Sequence, residues 1–579
     1  MCAQVCQHTA RLKLHSRVAY TDGDINLEPI LSQQLVRIHT LHITNATLDQ
    51  HDLATLTQHT AFCAHLVDVD FCNNFLGPGA MVGTWLAHCF RLERLNLDYN
   101  NLQASGMRAV AAQLHAVTRL AHLHLDSNNA RSTGVHDLAQ ALQNTPSLRH
   151  LSLAANGIHD GGAQSLISAL AACTGLTRLD LSNNHIRHLG PDVARHLASV
   201  HELYLAWNQL DGQNLPCLHG LARLRRIDLT HNNLSEASVA CLPPPSTLTA
   251  LDLSWNTLPG LPRLLVGLQR CHGLQSLCLN YARLSNGDAE HLDHLPLVCP
   301  GLRVLELRGN LLTSTGVRQV FESMALAPHL RSLDLSSNRA FPHSTAAPAV
   351  LVRGSFSRLT RLGLSALKLA GWGAWWLRSI LVHLSSLEEL LLDRNEFESS
   401  SLSMLYAGLG HCTRLQTLKL SYNFLGHIFA VGLGEIVQRF EALHCLSLGR
   451  TYLTDRGLCA LVHCLGPCAT LQRLGLSFNA LGNPSAIALV CGTDFVWHQD
   501  SALKVRTDIF PGLVHLDLSG NLIMDRGATA LAAWLRSRPC MQRLVLIDNL
   551  VQEVGCDAVI RARDEQRAAG RNVEVWVEA

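Results

Sequence analysis

Two groups of side chains in this sequence have the types and spacing that chemistry needs. The first lies in AHLHLDSN at 121–128, where His122, His124 and Asp126 alternate along an extended segment and so share one face. His150 falls beside His122 on the next such segment, and Cys72 and Asp98 line up with Asp126. Imidazoles and carboxylates at strand spacing could chelate zinc. The chain holds 32 histidines, many at plainly solvated places, so adjacency by chance is the simpler reading. No metal and no cofactor is expected. The second group is aromatic: Tyr204, Trp207, Trp255 and Tyr281, with Asp228, His231 and Asp252 among them. Tryptophans flanked by carboxylates resemble interface hot spots. The alternative is that Trp207 and Trp255 fold over the ends of strands and merely seal a core. No Gly-rich phosphate loop, nucleophile elbow or pair of catalytic carboxylates occurs in the strand–turn–helix context it requires, so no catalytic residue is assigned.

What must position these residues is a repeat. Segments such as LNLDYNNL at 95–102, LDLSNNHI at 179–186 and LDLSGNLI at 516–523 recur along the chain. Aligned on L-x-x-L-x-L-x-x-N-x-L they give nineteen units, opening at Ile38 and continuing through Leu176, Val200 and Leu224 to Met541. Most spacings are 28 residues, and the units opening at Leu176, Val200 and Leu224 are 24 long. Alternation in L-x-L predicts a short strand whose leucines share one face, so Asp180 between Leu179 and Leu181 points to the other. The ninth place is asparagine in fifteen units, where its amide can bond backbone as the strand turns away. Ala46, Ala282, Leu367 and Thr451 depart from this and predict interruptions of the ladder. After the strand, longer units read like GGAQSLISALAAC at 161–173, glycine then apolar residues at helical spacing.

The pattern at Leu148, Leu151, Leu153, Asn156, Ile158, Gly162, Leu166 and Leu170 resembles the ribonuclease-inhibitor-like subclass of leucine-rich repeats. The resemblance covers roughly residues 36–560. It implies an α/β solenoid, a horseshoe with a parallel inner sheet and a mostly helical outer face. It leaves function open, since that family includes enzyme inhibitors, GTPase activators, immune sensors and cytoskeletal proteins. In the ribonuclease inhibitor itself, aromatic residues at comparable inner-face places contact the ligand.

The expected organisation is an N-terminal cap at 1–35, repeats at 36–555 with an outward loop inserted near 492–510, and a C-terminal cap at 556–579 made of a polar helix and a last strand. CLPPPSTL at 241–248 cannot continue a helix through three prolines, and RAFPHSTAAPAV at 339–350 lacks the helix signal. In GWGAWWLRSIL at 371–381, template matching puts Gly373, Leu377 and Leu381 inward. Trp372, Trp375 and Trp376 then form a convex patch near Met404 and Val431.

The third, fifth, seventh and eighth places of each unit form the inner face. Early units place Asp68, Asp70, Asp98, Asp126, Asp180, Glu202, Asp228, Asp252, Glu306 and Asp334 there against Arg94, Arg178, Arg226 and Arg308. Later units place Arg361, Arg394, Lys419, Arg450, Arg473 and Arg543 against Glu389, Asp393, Asp517 and Asp548. The whole chain carries a net charge of only +1, which implies no nucleic-acid partner. No apolar run is long enough to span a bilayer, and the start lacks a signal-peptide core. Cys63, Cys89, Cys173, Cys271, Cys299, Cys412 and Cys468 each stand three residues before a repeat opens, a slot for a small buried hydrophobe. Thiols locked to a repeat suit a reducing compartment, so a cytoplasmic location is expected. The reading is a non-catalytic protein-binding scaffold, with regulation as one role it would suit, whose partner presents a basic element to the concave face. The alternatives are a Ran-type GTPase activator, whose acidic tail after the repeats this chain lacks, or a cytoskeletal or ciliary assembly component.

Overall fold

The element that recurs is a strand of three residues. The computed structural model describes residues 2–5, 11–15, 38–212, 215–218, 220–235, 247–258, 260–339, 356, 358–398, 401–437, 439–465, 468–492, 505–506 and 508–578, with backbone alone at 2–5, 11–15, 216, 372 and 428. Most of the cap at 1–35, CLPPPS at 241–246, residues 340–350 and most of the inserted loop at 492–510 therefore lie outside the described residues.

The chain forms two compact units. The first comprises residues Met1–Arg283 with Leu297–Gly301, the second Leu284–Pro296 with Leu302–Ala579. In the first, Cys2–Val5 pairs antiparallel with Arg11–His15, which runs parallel to Thr40–Thr44. Parallel strands then follow in chain order to Ser276–Cys278. In the second, parallel strands run in chain order from Val304–Glu306 to Glu574–Trp576. Register never slips: Arg178, Leu179 and Asp180 face Glu202, Leu203 and Tyr204. Equivalent places therefore stack into columns, and a one-residue shift would turn every leucine outward.

Leu179 and Leu181 are fully buried while Asp180 between them is partly exposed. The ninth-place asparagines close the turn. Asn184 is buried; its Nδ2 donates to the carbonyls of Leu181, Ser182 and, in the preceding repeat, Leu153. Its Oδ1 accepts from the amides of Asn156 and Ile158. Backbone groups that stacking removes from water are thereby paired. The departures weaken this ladder only on one side. At Thr451 the hydroxyl donates to the Leu448 carbonyl at 2.8 Å, while Asn479 of the next repeat serves the Thr451 and Leu453 amides. Leu367 supplies no side-chain bond, yet its amide still reaches Asn395 Oδ1 at 2.9 Å.

Outer helices such as Arg131–Leu142 and Asp160–Ala169 bury one stripe each. The glycine in their first turn has a steric cause. A Cβ on Gly162 would lie 2.9 Å from Ser132 Cα of the neighbouring helix. In the shorter units the outer segment shrinks to the single turn Val193–His196 and the 3-10 turn Leu215–Leu218. Near the other end, the helix Glu553–Ala568 leads into Glu574–Trp576, which pairs parallel with Arg543–Val545.

Cys63, Cys89, Cys173, Cys271, Cys299 and Cys412 are buried free thiols, with none in a disulfide. Burial pushes Cys271, Cys299 and Cys412 up to about 12. Cys468 departs from the set: it is only partly buried, its Sγ 3.3 Å from Thr470 Oγ1.

The expected convex tryptophan patch needs correction. Trp376 is fully buried, its ring edge-on to Phe321 at 5.2 Å, whereas Trp375 is partly exposed. The inward stripe of Trp372–Leu381 is wide enough to hold two adjacent residues per turn, here Trp376 with Leu377 and Ile380 with Leu381. The Trp372 side chain lies outside the described residues.

Candidate functional site

Each strand ends in the same backbone turn, and the eighth place of the repeat takes a left-handed conformation there. Asparagine holds this place at Asn45, Asn73 and Asn183, with φ of 53°, 55° and 54°. That is the residue type that tolerates the region best after glycine. Four successive repeats of the first unit instead place Trp207, His231, Trp255 and Tyr281 there, with φ of 55°, 53°, 57° and 53°. Their amides keep the turn in place: Trp207 N–H donates to the Thr230 carbonyl at 2.8 Å and His231 N–H to that of Ser254 at 2.9 Å. Bulky rings in this region cost about 1 kcal/mol each, which makes their concentration in one row informative.

The rings form a continuous row. Trp207 stacks on His231 with centroids 3.8 Å apart and planes at 11°. His231 lies 6.4 Å from Trp255, which stacks on Tyr281 at 4.1 Å and 18°. Trp207 is 54% exposed and Trp255 51%, so both rings present a large apolar area to solvent. The core beneath is closed by Leu205, Leu229 and Leu253, each fully buried.

The flanking aspartates are partly tied to the same turns. Asp228 Oδ1 accepts from the Thr230 amide at 3.0 Å and Asp252 Oδ1 from the Ser254 amide at 2.9 Å. Burial raises the Asp228 pKa, against the lowering effect of the Thr230 hydrogen bond. Tyr204 stands apart from the row, at the fifth place. Its hydroxyl donates to Glu202 Oε2 at 2.9 Å, and its ring lies under Arg178 at 4.6 Å and near Arg226 at 5.8 Å.

The histidine and aspartate group is assembled as the spacing suggests, but its polar atoms are engaged otherwise. His122 and His150 meet edge to face at 4.3 Å, and burial lowers the His122 pKa to about 4. Asp98 accepts from the Asp126 amide, and Asp126 from Ser152 Oγ and the Ala154 amide. Among the described residues no group of three or more His, Cys, Asp or Glu is arranged to hold a metal ion. A row that charge counting missed runs through the second unit, where the eighth place reads Arg394, Tyr422, Arg450 and Phe478. Reading down the eighth column alone would have revealed it.

The chain carries leucine-rich repeats. One leucine rich repeat family model matches residues 174–234, and a second matches 88–111, 145–166, 245–258, 327–339, 468–490 and 513–532. It is similar to "NACHT, LRR and PYD domains-containing protein 12" of Homo sapiens, 30% identical over 298 residues, which cover 48% of this chain and 27% of that protein. "NACHT, LRR and PYD domains-containing protein 3" of Macaca mulatta is 25% identical over 294 residues, 49% of this chain and 27% of that protein. "Tonsoku-like protein" of Mus musculus is 28% identical over 265 residues, 44% of this chain and 16% of that protein. The matches thus span about a quarter or less of these relatives' lengths. No described helix is long and apolar enough to cross a membrane.

Proposed function

We propose that this chain is a non-catalytic protein-binding scaffold of the ribonuclease-inhibitor-like kind, and that its first unit grips a basic segment of a partner protein along Trp207, His231, Trp255 and Tyr281. The observation that carries this reading is the row itself. Four neighbouring repeats put an aromatic ring where the backbone favours asparagine or glycine, and the two tryptophans remain half exposed. Stacking against one another holds the rings in fixed orientations before any partner arrives, which lowers the entropy cost of binding. Asp228 and Asp252, at the fifth place of the His231 and Trp255 repeats, supply charge that favours arginine or lysine in the partner. A reducing, cytoplasmic location and caps at 1–35 and 556–579 belong to the same reading, supported by the repeated buried thiol slot and by the closing helix and strand.

The test begins with recovery of partners by affinity capture and mass spectrometry. Trp207→Ala and Trp255→Ala are then expected to weaken binding by at least about 2 kcal/mol while leaving the melting temperature within a degree or two of the parent. Asp228→Asn should mainly slow association and reduce its dependence on salt. Normal binding by both tryptophan variants would remove the row from the interface.

A further inference from the structure

We propose that the second unit carries a separate binding groove of opposite character, which takes an acidic peptide segment bearing an aromatic or large aliphatic side chain. Its floor is the eighth-place row. The Arg394 guanidinium lies 4.1 Å over the Tyr422 ring, and Arg450 lies 5.2 Å from the same ring and 4.4 Å from Phe478. Cations and rings therefore alternate along four consecutive repeats. All four residues sit in the left-handed region, with φ between 53° and 60°. Beside this row a second pair, Phe424 and Tyr452, stacks at 5.5 Å and 29°. Tyr422, Phe424, Arg450, Tyr452 and Phe478 line an open groove of about 590 Å³ that ends at Gly520, with Arg394 stacked on Tyr422 just outside the lining. Gly520 is there for the ring: a Cβ on it would lie 2.3 Å from Phe478 Cδ1.

The exposure of these rings is unusual, because Phe424, Tyr452 and Phe478 are each at least 43% accessible and stand next to one another. The charges decide what could cover them. Several other inner-face arginines are paired with carboxylates: Arg94 with Asp68 at 3.8 Å, Arg178 with Glu202 at 3.5 Å, and Arg361 with Glu306 at 3.5 Å and Glu389 at 3.2 Å. Arg394 and Arg450 have no carboxylate within ion-pair distance among the described residues, and ring stacking is what holds them. A guanidinium stacked on an aromatic face is pre-organised to receive a carboxylate through two parallel hydrogen bonds. The rings alongside would bury the neighbouring apolar side chain.

Single-stranded nucleic acid also stacks on aromatic residues beside arginine, but it needs a groove whose positive charge follows a run of phosphates. Here Asp393, Asp517 and Asp548 occupy inner-face places of the same and adjoining repeats, with Lys419 and Arg473 as the other cations. That mixture favours one or two carboxylates over a polyphosphate chain.

The experiment is selection of a phage-displayed random dodecapeptide library on the full chain, followed by affinity measurement with the synthetic peptides obtained. The expected result is peptides in which glutamate or aspartate stands next to phenylalanine, tryptophan, tyrosine or leucine. Their affinity should fall at least tenfold with Arg450→Ala and with Phe478→Ala, fall less with Arg450→Lys, and stay unchanged with Trp207→Ala. The last arm separates this groove from the row in the first unit. Circular dichroism melts of each variant verify folding. Selected peptides that lack acidic residues, or that bind Arg450→Ala as well as the parent, would overturn the proposal. So would an oligothymidylate 12-mer whose binding depends on Arg450 and exceeds that of every selected peptide.

Discussion

Asp98 shows how a repeated turn changes the chemistry of one carboxyl group. One of its oxygens accepts from the Asp126 amide at 2.6 Å, which holds the group against the sheet. Burial, with the nearby Asp126 carboxylate next in effect, raises its pKa to about 7. In the unfolded chain the value is about 4. The folded state therefore binds the proton more tightly. Its contribution to stability is complete below about pH 4 and is lost as the pH rises through about 7. Asp98→Asn keeps the acceptor oxygen and removes the titration. Thermal melts at pH 5 and pH 8 should show the parent losing more stability than the variant as the pH increases. Equal losses would mean that Asp98 ionises in the folded protein without penalty.

At the scale of an element, Arg538 follows the helix Asp525–Arg536 and reaches backbone at Arg506, Ile509 and Phe510. It is 3% exposed, and its guanidinium donates to the carbonyls of Phe510 at 3.1 Å, Arg506 at 3.2 Å and Ile509. The Trp534 ring lies 5.0 Å away. One forked cation thus satisfies the carbonyls of Arg506, Ile509 and Phe510. Arg538→Ala should cost about 2–4 kcal/mol in urea unfolding, since buried carbonyls lose their donors and a cavity forms. Arg538→Lys should recover little, because an ammonium cannot reproduce the planar fork. Full recovery by lysine would reduce the role to charge alone.

For the molecule as a whole, stability is a sum over neighbours. Each repeat buries its leucines only against the units before and after it. Leu181→Ala should therefore cost about 2–5 kcal/mol, and Asp180→Ala far less, since Leu181 is fully buried and Asp180 is not. Hydrogen exchange should show the loss of protection greatest in the repeats opening at Leu148, Leu176 and Val200, fading with distance along the first unit. Comparable melting losses for the two variants, or a loss spread evenly over the chain, would contradict the nearest-neighbour picture.

The sequence by itself determined the repeat, its register and the face of every strand residue, because a two-residue period leaves one arrangement that buries the leucines. It also located Trp207, Trp255 and Tyr281 on one face, since places counted from the repeat opening convert directly into columns. Helix faces were less legible. Trp376 looks outward by template, yet a helix stripe holds two neighbours per turn, and only packing against Phe321 decided which rings went in. Stacking was likewise invisible: Trp207 on His231, or Arg450 between Tyr422 and Phe478, depends on side-chain rotation within a column. Whether aspartates such as Asp126 stand ready for a ligand or bond the next repeat's backbone was settled by the turn geometry. Column membership is one-dimensional information, but contact between columns is set in three.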